Sequence, residues 1–229
     1  MEIRVEKRVE GAKKAVGTAV MIDVFRAFTL QAYAFAAGCE KIILVSEPQQ
    51  AFALKKQHPQ YLLVGERDGI KISGFDYGNS PAAIKNLDLC GCTLVHTTTN
   101  GVNGIANARN ATQIVTGAFV NAAATVRYLL KQNPETVTLT PMGWRNRDTE
   151  EDLLCAEYMQ ALLQGKTMED IDERLHQLRD QEGKKFFNPK TQDIFPQADF
   201  ACCIQRDIFD FVIVVKRKEG YDTAEIIHA

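Results

Sequence analysis

The chain has 229 residues, 45% of them hydrophobic and 24% charged, with a formal net charge of −2. This is ordinary globular composition with ample material for a core, and it lacks the broad basic field that nucleic-acid binding requires. An anionic ligand would have to be met by locally placed cations or backbone N–H groups rather than by the field of the whole molecule.

Met1 to Glu10 is charged and lacks the apolar stretch of a signal peptide. No apolar run reaches the roughly 18 residues of a membrane span. Cys39, Cys90, Cys92, Cys155, Cys202 and Cys203 form no Cys-x-x-Cys pair and have no histidine at zinc spacing, so they read as reduced thiols. A cytoplasmic protein with no membrane contact is expected.

Ala19 to Val24 is an apolar run holding one acid, Asp23, and predicts a buried strand. Ala27 to Ala37 predicts a buried helix stopped by Gly38. Lys41 to Val45 is the next strand. Ser46 is placed to cap a helix over Glu47 to Gln57, with Pro48 in its first turn. Tyr61 to Val64 is a third strand. Gly65 to Pro81 has no clear periodicity, holds four glycines, and reads as a long functional loop. Thr93 to Val95 is a strand, followed by the polar run His96 to Gly101 and a helix through Asn107. Gln113 to Val115 is a strand, Asn121 to Leu130 a helix, and Thr136 to Thr140 a strand. Helices follow at Thr149 to Leu163 and Met168 to Asp180, with a short one at Asp199 to Gln205. Asp210 to Val215 closes the series as a strand, and Lys166 to Lys185 reads as the most exposed segment. Strand–helix alternation of this kind predicts a three-layer α/β/α fold with a largely parallel or mixed sheet.

In such sheets ligands bind beyond the carboxyl ends of the strands. Asp23 follows an otherwise apolar strand, so its charge calls for a partner: a metal, a reacting group or the N-terminus of the next helix. Arg26 offers a planar fork for phosphate or sulfonate oxygens, or a salt bridge to Asp23. Glu66 with Asp23 supplies two hard oxygen ligands of the kind Mg²⁺ takes, the alternative being a solvated pair with Arg67. The Thr97 to Gly101 run sits at a strand–helix junction, either as an anion cradle or as a cap for orphan amides. His96 is a proton donor or a structural histidine. For Glu151 and Asp152, spacing alone favours two acids stabilising a helix N-terminus over a metal-binding or acid–base role. No P-loop or dinucleotide fingerprint is present, and no Cys-x5-Arg loop.

Taken together, Val20-Met-Ile-Asp-Val-Phe-Arg-Ala27, Gly65-Glu-Arg67, Gly74-Phe-Asp-Tyr-Gly-Asn-Ser-Pro81, Thr98-Thr-Asn-Gly101, Gly117-Ala-Phe-Val-Asn121 and Glu151-Asp152 resemble the 2-phosphosulfolactate phosphatase (ComB) family. The resemblance covers most of the chain. It implies one phosphatase domain over residues 1–229 that uses Mg²⁺ to hydrolyse 2-phosphosulfolactate to sulfolactate and phosphate, a step toward coenzyme M. Motif matching carries metal ligation to Asp23, Glu66 and Asp152, and catalytic roles to Asp23, Arg26 and Asp152. It carries substrate binding to Arg26, Asn79, Ser80, Thr98, Thr99, Asn100, Gly101 and Asn121. The expected partner is a small acidic phosphate ester, with self-association left open. Phe28 and Leu30 stand where the family's first motif carries smaller Ser or Thr, which makes a bulkier, more apolar wall and leaves room for a different phospho-acid. The contrasting class is a small-anion sensor that kept the pocket without turnover.

Overall fold

The structure is a computed structural model describing residues 1–218 and 220–228. The charged N-terminus holds two elements the sequence reading passed over: β1 (Glu2–Val5) and α1 (Arg8–Ala12). β1 is a mostly exposed edge strand, so it lacks the apolar run that marks buried ones. β2 (Gly17–Ile22) ends one residue before Asp23 rather than at Val24, and α2 (Ala27–Ala36) is buried along nearly all of its length. β3 (Lys41–Leu44) leads to α3 (Pro48–Gln57). The cap of α3 is Glu47, not Ser46: the Glu47 amide donates to Gln50 Oε1 at 3.1 Å, while the Ser46 carbonyl accepts from Arg67 and Thr97.

β4 (Leu62–Arg67) runs past Val64 through Glu66, and β5 (Ile70–Lys71) folds back on it. Part of the expected loop is therefore a tight hairpin. α4 (Pro81–Ile84) follows, capped by the Ser80 hydroxyl. β6 (Thr93–Thr97), α5 (Gly101–Asn107), β7 (Ala111–Gly117), α6 (Ala122–Gln132), β8 (Thr136–Pro141) and α7 (Glu150–Leu163) follow close to expectation. Asn121 lies in a 3₁₀ turn just before α6. α8 (Ile171–Gln177) is shorter than expected. It is followed by 3₁₀ turns, α9 (Gln197–Cys203), β9 (Phe211–Lys216) and an unexpected last strand, β10 (Asp222–His228).

These elements build a three-layer α/β fold around one ten-stranded mixed sheet, ordered β1-β8-β2-β7-β9-β10-β3-β6-β4-β5. Helices cover both faces: α5 and α7 pack on β2, and α2 and α6 on β7. The sheet contains two parallel groups. β1, β8, β2 and β7 run one way, and β3, β6 and β4 run the other. The antiparallel strands β9 and β10 join them. The sheet is thus mixed, and the strands that carry the site loops are not all parallel neighbours. Five ladder steps separate β2 from β6. At roughly 20–25° of twist per step they rotate one group about 100–125° relative to the other. The opposed groups are thereby turned so that α5 touches both β2 and β6, and their carboxyl ends meet.

Candidate active site

The loops after β2, β4, β6 and β8 converge on a small cavity of about 30 Å³, room for about two water-sized groups. Four carboxylates line it: Asp23, Glu66, Glu151 and Asp152. A wider cleft of about 480 Å³ adjoins it, the two sharing Arg26, Gly69 and Asn79.

Asp23 sits just beyond β2 and accepts from the Ala27 amide at 3.2 Å. Burial, reinforced by the charge of Glu66, raises its pKa to about 6, with the Ala27 and Gly101 amides and Lys185 pulling the other way. The chain passes very close at Gly101: a Cβ there would lie 2.9 Å from Asp23 Oδ2. Asp152, in the first turn of α7, spends both oxygens on backbone. Oδ1 accepts from Val24 N at 2.8 Å and Oδ2 from Gly143 N at 2.9 Å. It ties the β2 loop to the β8 loop, and burial with Glu151 and Asp23 nearby raises its proton affinity strongly.

Glu66 is likewise committed. Its Oε1 accepts from Thr99 N at 2.7 Å, and its Oε2 from Gly69 N at 2.6 Å and from the Thr99 hydroxyl at 3.1 Å. Glu151 differs. Its Oε2 is buried with no hydrogen-bond partner among the described residues, and burial raises its pKa to about 7. The helix-dipole reading of Glu151 accounts for its place in the first turn of α7 but not for that unpartnered oxygen in the cavity wall.

The polar loops are already in use by the protein. In the expected anion cradle, the Thr99 amide is given to Glu66, and Thr98 Oγ1 accepts from Val102 N at 3.0 Å, closing the first turn of α5. Asn100 lines the cavity beside them. Ser80 donates to Asp199 Oδ1 at 2.6 Å. Asn121 bonds the Ala118 amide through its side-chain oxygen and is not part of the cavity wall.

Arg26 pairs with Asp199, not with Asp23. Its Nη1 lies 2.7 Å from Asp199 Oδ2, and further N–H groups reach the Ile194 and Gly69 carbonyls at 2.9 and 3.1 Å. Asp199 also takes the Ala82 amide, so α9, α4 and the β2 loop meet at one buried ion pair. His96 is fully buried, and desolvation lowers its pKa to about 3, so it is neutral. A chain of bonds runs Thr116–Gln31–His96–Asn79, with Gln31 Nε2 3.2 Å from His96 Nδ1 and His96 Nε2 3.3 Å from Asn79 Oδ1. If Gln31 donates, the His96 proton is on Nε2. Asn79 is then held by its oxygen, and its amide NH₂ is left for the cavity.

Phe25, Gly143, Trp144, Lys185 and Phe195 complete the wall, and sequence reasoning missed the last three. Trp144 had a signal: it is the chain's sole tryptophan and follows a strand end. Lys185 lies in the stretch that reads as exposed, where the adjoining Phe186-Phe187 pair was the overlooked cue to packing. Phe186 is fully buried.

With this geometry in view, the comparisons with known proteins are specific. The sequence profile of a family described as 2-phosphosulpholactate phosphatase matches residues 3–218. The chain belongs to this family. A protein of Bacillus subtilis named "Probable 2-phosphosulfolactate phosphatase" is 33% identical over 207 residues, 90% of each chain. Proteins with the same name from Carboxydothermus hydrogenoformans and Caldicellulosiruptor saccharolyticus are 44% and 40% identical, over 69% and 61% of this chain and 64% and 60% of theirs. Membership makes the chain a phosphatase, a phosphoric monoester hydrolase by class. No helix among the described residues is long and apolar enough to cross a membrane.

Proposed function

We propose that the protein is a Mg²⁺-dependent phosphatase of 2-phosphosulfolactate or a closely related small phospho-hydroxy acid, releasing sulfolactate and phosphate. One observation carries the metal requirement: four carboxylates face one small cavity whose cationic side chains are Lys185 and an Arg26 already paired with Asp199. Asp23, Glu151 and Asp152 hold protons more tightly than free carboxyls do, and a bound cation would displace those protons and offset the charge they then turn toward a phosphate ester. Among the described residues no three His, Cys, Asp or Glu side chains are grouped as a ready chelate. Mg²⁺ does not need one, because it keeps several waters and takes one or two carboxylates plus substrate oxygens. The donor set fits it: all are hard oxygens, and Glu151 Oε2 is unpartnered.

Asp23 and Glu151 have oxygen capacity to spare and would hold the ion. Glu66 and Asp152, expected from sequence as further ligands, have both oxygens bonded to loop N–H or hydroxyl groups and lock those loops in place. When bound, the ion supplies positive charge to the phosphoryl oxygens and favours attack on phosphorus. The chain's own contribution is positioning. Asn79, braced through His96 and Gln31, donates its amide to a phosphoryl oxygen, as does Asn100. Arg26 and Asn79 also line the wider cleft, which opens the cavity to the substrate. A water attacks, and the leaving alcohol departs toward that cleft. Six unpaired cysteines support a reducing, cytoplasmic setting.

The test is phosphate release from 2-phosphosulfolactate, 2-phospholactate and phosphoglycolate, with EDTA and after Mg²⁺ is restored. Turnover that EDTA abolishes and Mg²⁺ recovers is expected. Tight binding of these acids without release would make the protein a small-anion sensor instead.

A further inference from the structure

Lys185 Nζ makes no hydrogen bond and no ion pair within 4.0 Å among the described residues, although it lines the carboxylate cavity and its charge acts on Asp23 and Glu151. Rings surround it instead. Nζ lies 4.8 Å from the centroid of Trp144, 5.6 Å from Phe25, 5.6 Å from Phe186 and 5.7 Å from Phe195. Such rings stabilise a cation electrostatically but leave its N–H donors unspent. They also hold the long side chain in place, so less rotamer entropy is lost when a ligand binds.

The surroundings discriminate between anions. Near the four carboxylates a phosphoryl group is served by the metal proposed above. An ammonium in an aromatic surround is different: strongly hydrated dianions lose much on entering such a place, and a charge-diffuse monoanion loses little. A sulfonate is such a monoanion, with three equivalent oxygens to meet three ammonium donors. Resting on the phosphatase reading, we infer that Lys185 is a specificity-determining residue, binding the distal sulfonate of the substrate while the phosphoryl group occupies the carboxylate end. The 3₁₀ segment Glu182–Phe187 delivers this lysine from outside the sheet, anchored by Phe186. Substrate selection is thus carried on a different part of the chain from the strand-end loops.

The test compares wild type, Lys185→Met and Lys185→Arg on two substrates that differ only in the distal group: 2-phosphosulfolactate and 2-phospholactate. Lys185→Met is expected to raise KM for the sulfonated ester at least about tenfold more than for 2-phospholactate. Lys185→Arg should restore part of that preference. Calorimetric binding of sulfolactate against lactate is the second readout. Wild type should prefer sulfolactate at least about tenfold, and Lys185→Met should erase the preference. Equal losses on both esters, mainly in kcat, would place Lys185 at the phosphoryl group and overturn the inference. So would a sulfolactate preference that survives Lys185→Met. If wild type turns over no ester yet shows the lysine-dependent preference for sulfolactate, the phosphatase reading fails and the sulfonate site stands.

Discussion

Asp23 and Glu151 place two buried acids in one cavity wall, and their raised proton affinities have opposite consequences for folding and for function. In the fold Glu151 titrates at about 7 instead of the ordinary 4.5. A raised carboxyl pKa contributes stability below the unfolded value, and that contribution is lost as pH rises through the folded value. Glu151→Gln should therefore match wild type below about pH 4.5 and be more stable by on the order of 2–3 kcal/mol at pH 8 without metal. Denaturant midpoints across pH check this, and a wild type that outlasts the variant at pH 8 would refute it. Asp23→Asn should remove Mg²⁺-dependent turnover, by about 10³-fold or more, while circular dichroism shows the fold intact. Near-wild-type activity would end its metal-binding role. Asp23 was legible in sequence because an isolated acid after an apolar strand needs a partner. Glu151 was not, because an acid in the first turn of a helix is ordinary and only burial distinguishes it.

Among the elements, the 3₁₀ segment Glu182–Phe187 and Phe195, just ahead of α9, complete a cavity that the strand-end loops begin. The Arg26–Asp199 pair is what fastens them. The carboxylate is fully buried and the guanidinium 3% exposed, and breaking such a pair leaves an uncompensated charge. Asp199→Ala should cost about 3–5 kcal/mol. Hydrogen exchange should rise first in α4, α9 and residues 193–196, ahead of the central strands. Uniform destabilisation with no local opening would contradict this fastening role. The sequence marked the apolar strands and the helices between them because period and caps are local signals. It misplaced the cap of α3, where Glu47 takes the position and its amide is held by Gln50 Oε1. It read residues 65–81 as loop because a two-residue strand such as β5 leaves no periodic trace. The partners of Arg26 were invisible for another reason: Asp199 lies 173 positions away.

For the molecule as a whole, the proposed metal site draws its ligands from α7 and the end of β2, elements distant in the chain but packed together. Bound Mg²⁺ should stabilise global folding by about 2.7 kcal/mol at a concentration a hundred times its dissociation constant. Thermal unfolding with added Mg²⁺ should show that gain in wild type and little of it in Asp23→Asn. A shift of equal size in both would locate the ion elsewhere. The α/β/α class was legible from alternation alone. The reversal between the two parallel groups was not, because it depends on β9 and β10, and β10 carries too little apolar pattern to announce itself.

That reversal makes β9 and β10 a torsional linkage. Each ladder step between β2 and β6 adds its own rotation, so a change of a degree or two per strand accumulates at the mouth where Asp23 faces Glu66. Val214 and Ala224 touch no ligand group, yet they sit at the middle of this linkage, both buried. Drift in such positions would retune the reach between the two carboxylates while every side chain around the cavity stayed the same. Catalytic differences among relatives with identical cavity residues would then trace to the sheet's interior, as a matter of gearing rather than of chemistry.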